Sequence, residues 1–199
     1  MIEVELKARV RDRAAVEAAV AAFARPVGKV EKRDAYWHGP DWRLNRGARG
    51  FRIRSEGPAA FGAGSGATSV VTFKTKRSEG GIEINREREF QVSDPEAFIE
   101  FALRLGCEPF YDKSKSGLAF KAASPGACPE EITIEIIEVA GLGDFIEIEA
   151  ILEDEDPARL ALAQGEIRAI LARAGLGEGD IEPRFYSELL MEAGIVARP

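Results

Sequence analysis

The chain has 199 residues, 45% hydrophobic and 31% charged, a globular composition that fits a single domain over 1–199 and excludes a disordered chain. Its net charge of −7 argues against a broad nucleic-acid surface, and its apolar runs are too short to cross a bilayer. The opening Met1-Ile2-Glu3-Val4-Glu5-Leu6-Lys7 puts acids where a signal peptide needs basic and then apolar residues, so a cytoplasmic location with no membrane partner is expected.

Alternation with period two predicts a first strand from Ile2 to Val10. Asp12 can cap a helix from Arg13 to Ala24, whose alanines and valines form an apolar stripe. Strands are expected at Gly50 to Ser55, Ser69 to Arg77 and Ile82 to Val92, with a small-residue, mobile loop from Gly57 to Ala67. Asp94-Pro95 opens a second helix that runs to Leu105 and stops at Gly106. A second mobile loop spans Ala122 to Pro129. Two strands then share Ile132 to Leu152, joined at Gly141-Leu142-Gly143-Asp144. Asp156-Pro157 starts a third helix ending at Gly175, and a short helix follows Pro183. The whole reads as an α+β domain dominated by antiparallel pairing.

Glu-x-Glu occurs three times in these strands, at Glu3/Glu5, Glu87/Glu89 and Glu147/Glu149. Residues i and i+2 of a strand share a face ~6.6 Å apart, so each pair lies side by side. Lys7 continues the first pair, and Arg52/Arg54, Lys74/Lys76 and Lys113/Lys115 form basic counterparts. One such strand is an ordinary solvated sheet face. Their sum points elsewhere: to a closed barrel with acid and base turned inward. A dry interior of that kind is prohibitively costly, whereas water, hard cations and a polyanion make it reasonable. Carboxylates take Mg2+ or Mn2+ through oxygen, and lysine and arginine take phosphate oxygens. A small-molecule triphosphate is the natural filling. No P-loop motif is present.

The rest of the chemistry-bearing residues are quieter. A single histidine, His38, rules out a His-rich zinc site, and it reads as a surface or loop residue. Cys107 and Cys128 have no metal-ligand spacing; Cys107, after Gly106, reads as a buried small residue. Trp37 and Trp42 read as packing residues rather than as a platform for a ring.

In chain order, seven stretches resemble the CYTH superfamily, the triphosphate tunnel metalloenzymes. Glu3-Val4-Glu5-Leu6-Lys7 is similar to its ExExK signature, and Arg33-Asp34-Ala35-Tyr36 and Phe51-Arg52-Ile53-Arg54 to its next two strands. Val71-Thr72-Phe73-Lys74, Glu87-Arg88-Glu89 and Lys113-Ser114-Lys115 follow, then Gly141 to Glu149. Glu182-Pro183-Arg184-Phe185-Tyr186-Ser187-Glu188-Leu189-Leu190 resembles the tail of the class IV adenylate cyclase branch. The resemblance implies a closed eight-stranded antiparallel β-barrel with helices outside. It implies metal binding by Glu3, Glu5, Glu147 and Glu149, and phosphate binding by Lys7, Arg52, Arg54, Lys74, Lys113 and Lys115. Glu5, Lys7 and Lys74 carry the catalytic expectation, and Glu87 and Glu89 are further tunnel acids. Lys76 is in phase with Lys74 and joins the phosphate set, as does Arg184, which with Tyr186 would close one end. The chain departs from the family at Ile137, where an acid or amide is usual, and Glu135, two residues earlier and in phase, is the expected substitute. Lys115 stands where an arginine is usual, which loses a bidentate grip.

The expectation is an enzyme acting on ATP, tripolyphosphate or thiamine triphosphate with Mg2+ or Mn2+, by cyclisation or by hydrolysis. The rival is a non-catalytic polyphosphate or nucleotide binding module. Oligomerisation is left open, a homodimer included.

Overall fold

The computed structural model describes residues 1–41, 50–56, 69–124 and 131–197. The loop from Gly57 to Ala67, most of the loop from Ala122 to Pro129, Trp42 and Cys128 lie outside the described residues. Eight strands are β1 (Ile2–Arg9), β2 (Arg25–His38), β3 (Gly50–Glu56), β4 (Ser69–Glu79), β5 (Ile82–Val92), β6 (Glu108–Ala123), β7 (Glu131–Val139) and β8 (Gly143–Leu152). They close into an antiparallel barrel in the order β1-β5-β4-β3-β2-β6-β7-β8. Four α-helices accompany them: α1 (Arg13–Ala21), α2 (Pro95–Arg104), α3 (Pro157–Arg173) and α4 (Tyr186–Glu192).

Helix starts follow the capping residues. The Asp12 carboxylate accepts from Ala15 N at 3.0 Å and Asp94 from Ala97 N at 3.0 Å. Asp156 accepts from both Ala158 N and Arg159 N, each at 3.0 Å. Each of these bonds satisfies a backbone donor that the helix itself cannot. The β4–β5 hairpin turns on Gly80 and Gly81, at φ +56° and +79°, a conformation that side-chain-bearing residues avoid.

Two long strands, β2 and β6, escape the period-two reading. The first five residues of β2 are exposed throughout, so nothing alternates there. In β6, Ser114 and Ser116 put polar groups on the face opposite Lys113 and Lys115.

The chain divides into two compact units. The first comprises Met1–Val30, Lys76–Arg86 and Ser116–Pro199. Its core joins one face of the sheet to two helices: Val4, Leu6, Ile82, Ile134 and Ile148 pack with Val16 and Val20 of α1 and with Ile167 and Ile170 of α3. At about 25 cal/mol per Å2, burial of such side chains stabilises by about 1.5–3 kcal/mol each. The even-numbered residues of β1 are thereby committed to the helices. Glu3, Glu5 and Lys7 must face the other way, into the barrel. The second unit comprises Glu31–Thr75 and Glu87–Lys115. Its core is Trp37, Ile53, Val71, Ala102 and Cys107, with Phe51 and Phe98 packed against it.

Candidate active site

The first unit carries a wall of acids. Strand register sets Glu5 directly opposite Glu83 on one side and Glu149 on the other, and Glu149 opposite Thr133. The next row holds Lys7, Glu147 and Glu135. Like charges directly opposite in a ladder destabilise it, so the Glu83–Glu5–Glu149 row needs positive charge near it. Part of that charge is supplied by lysine: Lys7 Nζ lies 2.5 Å from Glu83 Oε1, and Lys76 Nζ lies 3.4 Å from Glu83 Oε2. Lys121 Nζ donates to Thr133 Oγ1 at 2.9 Å, at the end of the same row. Glu3 accepts from Asn85 Nδ2 at 2.7 Å, and Asn85 Oδ1 is a buried acceptor with no hydrogen-bond partner among the described residues.

The tail closes over this wall. Tyr186, the first residue of α4, stacks edge-on against Phe145 with ring centroids 5.3 Å apart. Its ring lies 5.5 Å from Lys7 Nζ. Burial, then the neighbouring Glu147, Glu5 and Glu83, push its hydroxyl well above the usual tyrosine range. Ile137 sits in register with Phe145 and joins the apolar cluster of Phe145, Tyr186 and Leu189. An acid at 137 would be buried among these rings. Glu135 instead stands opposite Glu147.

Arg184 is held on the tail itself. It donates from Nε to Glu182 Oε1 and from Nη2 to Glu182 Oε2, both at 2.7 Å, and reaches Glu192. Arg9 Nε adds a 3.0 Å bond to the buried Glu182. The Arg184 hydrogen bonds, reinforced by Arg9 and opposed by burial, pull the Glu182 carboxyl down to about 2.

The second unit carries a basic wall. Arg52 Nη2 donates to Thr72 Oγ1 at 2.9 Å and lies 3.5 Å from Glu89 Oε1. Its buried Nε has no hydrogen-bond partner among the described residues. Arg54 donates to both oxygens of Asp34, at 2.7 and 3.0 Å. Lys74 Nζ lies 2.6 Å from Glu87 Oε1. Lys113 Nζ donates to Tyr36 Oη at 3.0 Å, and Lys115, two residues on, is also buried.

Register therefore brings Glu3, Glu5, Lys7, Glu135, Glu147 and Glu149 together on one face of the first unit, with Lys76 joined through Glu83. Arg52, Arg54, Lys74, Lys113, Glu87 and Glu89 form ion pairs within the second. Glu83, Asn85, Lys121, Asp34, Tyr36 and Thr72 belong to these walls without standing out in the sequence. Glu83 and Asn85 are in phase with Glu87 and Glu89, and Lys121 with Lys115, so the period-two argument extended by one more step would have included them. Trp37 packs against Phe51 in the core, with centroids 5.8 Å apart, and His38 stacks on Phe110 at 4.1 Å at the end of β2.

The donor chemistry suits a hard divalent cation: closely spaced carboxylates, a buried amide oxygen and, among the described residues, no thiolate or imidazole beside them. Among the described residues, no three carboxylate, histidine or cysteine side chains already stand in ligating geometry.

A family model described as the CYTH domain matches residues 1–186. A Methanocaldococcus jannaschii protein named “Putative adenylate cyclase” is 26% identical over 190 residues, 95% of this chain and 98% of its own. A solved Pyrococcus horikoshii protein has a TM-score of 0.71 at 27% identity, covering 94% of this chain and 98% of that one. A Hippeastrum structure, described as a “putative adenylyl cyclase” with a dominant triphosphatase activity, has a TM-score of 0.64 at 15% identity. It covers 97% of this chain and 95% of that one, and the likeness is one of fold.

Proposed function

Because this chain belongs to the CYTH family and is an enzyme of it, we propose that it acts on a triphosphate held with Mg2+ or Mn2+, cleaving one of its phosphoanhydride bonds. The observation that carries this reading is the Glu83–Glu5–Glu149 row, three carboxylates in direct register with two lysines drawn onto one of them. Such a row is stabilised by a divalent cation, which would free Lys7 and Lys76 for phosphate oxygens. Glu5 and Glu149, with Glu3, Glu147 and Asn85 Oδ1 nearby, are the oxygen donors for the metal. When bound, the metal neutralises charge that develops on the phosphate oxygens.

The groups with phosphate-binding chemistry are Lys7 and Lys76 in the first unit and Arg52, Arg54, Lys74, Lys113 and Lys115 in the second. Arg52 Nε supplies a buried donor that a phosphate oxygen would satisfy. Tyr186 walls off the acids beside it; its hydroxyl stays protonated there and can donate but not act as an anion. Holding the phosphate chain straight is this chain's contribution to in-line displacement.

Two reactions suit these groups. In the first, the 3′-oxygen of ATP attacks the α-phosphorus, its proton is lost, and pyrophosphate leaves with cyclic AMP as the other product. The chain-long similarity to a relative named as an adenylate cyclase, and the tail from Glu182 to Leu190, favour it. In the second, water attacks a terminal phosphorus, the remaining diphosphate part of the chain leaves, and the attacked phosphorus becomes orthophosphate once the water's proton is lost; the Hippeastrum neighbour favours this. The test is a panel of ATP, tripolyphosphate and thiamine triphosphate with Mg2+ or Mn2+, with cyclic AMP, pyrophosphate and phosphate measured separately. Cyclic AMP with equimolar pyrophosphate supports cyclisation, and phosphate without cyclic AMP supports hydrolysis, with equimolar pyrophosphate beside it when tripolyphosphate is the substrate. No product from any substrate would sink both.

A further inference from the structure

Asp34 is an acid in the middle of the basic wall, with 0% of its surface exposed. Its two oxygens take the Arg54 guanidinium side-on, at 2.7 Å from Nε and 3.0 Å from Nη2. Lys113 Nζ lies 3.5 Å from its Oδ2 and Arg52 Nη1 3.9 Å from the same atom. Tyr36, two residues along β2, donates its hydroxyl to Asp34 at 3.5 Å and accepts from Lys113 at 3.0 Å. One carboxylate on β2 thus ties together cations from β3 and β6. Burial on its own would raise the Asp34 carboxyl; Lys113, Arg54 and Arg52 more than reverse this and hold it well below the usual carboxylate range. The group stays charged at any working pH.

A site built only to attract a polyanion gains nothing from a buried anion at its centre, since the carboxylate cancels one positive charge. Alignment explains it better. Long cationic side chains lose considerable rotamer freedom when they bind, and a fixed carboxylate removes that freedom beforehand. A bidentate partner also sets the plane of a guanidinium, which a single-point contact does not.

We propose that Asp34 is a positioning residue for triphosphate recognition, holding Arg54, Arg52 and Lys113 as one pre-arranged cluster whose several donors engage neighbouring phosphates of a chain and so favour it over a single one. This rests on the triphosphate reading above and adds the source of chain-length selectivity. Asp34 does not touch the substrate; it acts through the three cations.

The experiment compares wild type, Asp34→Glu and Asp34→Asn for binding of tripolyphosphate and of orthophosphate, each with Mg2+, alongside a thermal melt of each protein. Asp34→Glu keeps the charge and moves the carboxylate by one methylene. Asp34→Asn keeps the size and removes the charge, so an account by net charge alone expects tighter binding of both anions. Positioning expects the reverse for the long anion: tripolyphosphate affinity falls by about tenfold or more in either folded variant, the loss of one charge-assisted contact. Orthophosphate, which offers the cluster a single phosphate, is expected to bind each variant at least as well as wild type. If the buried charge left by Asp34→Asn prevents folding, Asp34→Glu carries the test, since it retains the ion pair. A folded variant that binds tripolyphosphate as wild type does, or loses both anions equally, overturns the inference. Failure of wild type to bind tripolyphosphate at all would instead remove the triphosphate reading on which it rests.

Discussion

Glu5 stands directly opposite Glu149 across the β1–β8 ladder. Two carboxylates in that relation repel, and like-charged pairs in a ladder cost about 0.2–1 kcal/mol. If the row holds a cation as proposed, the cation would offset that repulsion. Glu5→Gln should raise the melting temperature slightly in chelator while removing most of kcat. Added Mg2+ should stabilise wild type, by RT ln(1 + [L]/Kd), and stabilise the variant much less. A variant that melts far below wild type in chelator would make Glu5 a structural residue.

Chelation should abolish turnover, and Mg2+ or Mn2+ should restore it. Without a cation, the acidic row opposes a triphosphate and holds Lys7 and Lys76 on Glu83. Steady-state rates in EDTA, then in titrated metal, check this; full activity in chelator contradicts it.

Arg54 and Lys74 should part company on truncation. Arg54→Ala removes the bidentate partner of the buried Asp34 carboxylate and leaves it Lys113, Arg52 and the Tyr36 hydroxyl. It should therefore cost stability, though less than a buried charge left with no partner, which costs about 3–5 kcal/mol. Lys74→Ala leaves Glu87, 9% exposed against 0% for Asp34, and should cost less stability than Arg54→Ala while raising KM. Denaturant melts and Michaelis kinetics of the two variants, side by side, make the comparison. Equal destabilisation would mean that Asp34 is better hydrated than its burial implies.

The Glu182 anchor sets an acid-sensitive contribution to stability. Its folded pKa, about 2, lies below the ordinary 4.5. The contribution is thus fully present above about 4.5 and disappears as the pH falls toward 2. Glu182→Gln should cost about 1–3 kcal/mol at neutral pH and flatten the stability profile in that acid window. Melts from pH 7 to pH 2 measure it, and parallel profiles for variant and wild type would refute it.

Much of this was legible in the sequence because a strand's side chains alternate without exception. Glu3, Glu5 and Lys7 share a face whatever surrounds them, and so do Glu147 and Glu149. Asp12, Asp94 and Asp156 fixed the helix starts through local hydrogen bonds that need only a few neighbouring residues. The acid-and-base walls, the antiparallel strands and the family resemblance all came from such short-range regularities.

Register was another matter, because it depends on which strands pair and where. Nothing local reveals that Glu83 stands against Glu5, which is 78 positions away in the chain, or that Lys7 pairs with Glu83. The same holds for Asp34, which reads as one more charge in Arg33-Asp34-Ala35-Tyr36 until folding brings Arg54 and Lys113 onto it. Ile137 looked like a missing ligand; the packing of Phe145, Tyr186 and Leu189 makes it part of an apolar seal instead. Sequence alone determined which groups share a face, since that is a property of the strand's own pleat. Tertiary structure decided which charges neutralise one another, since Coulomb energy and burial depend on distance in space and not on position along the chain.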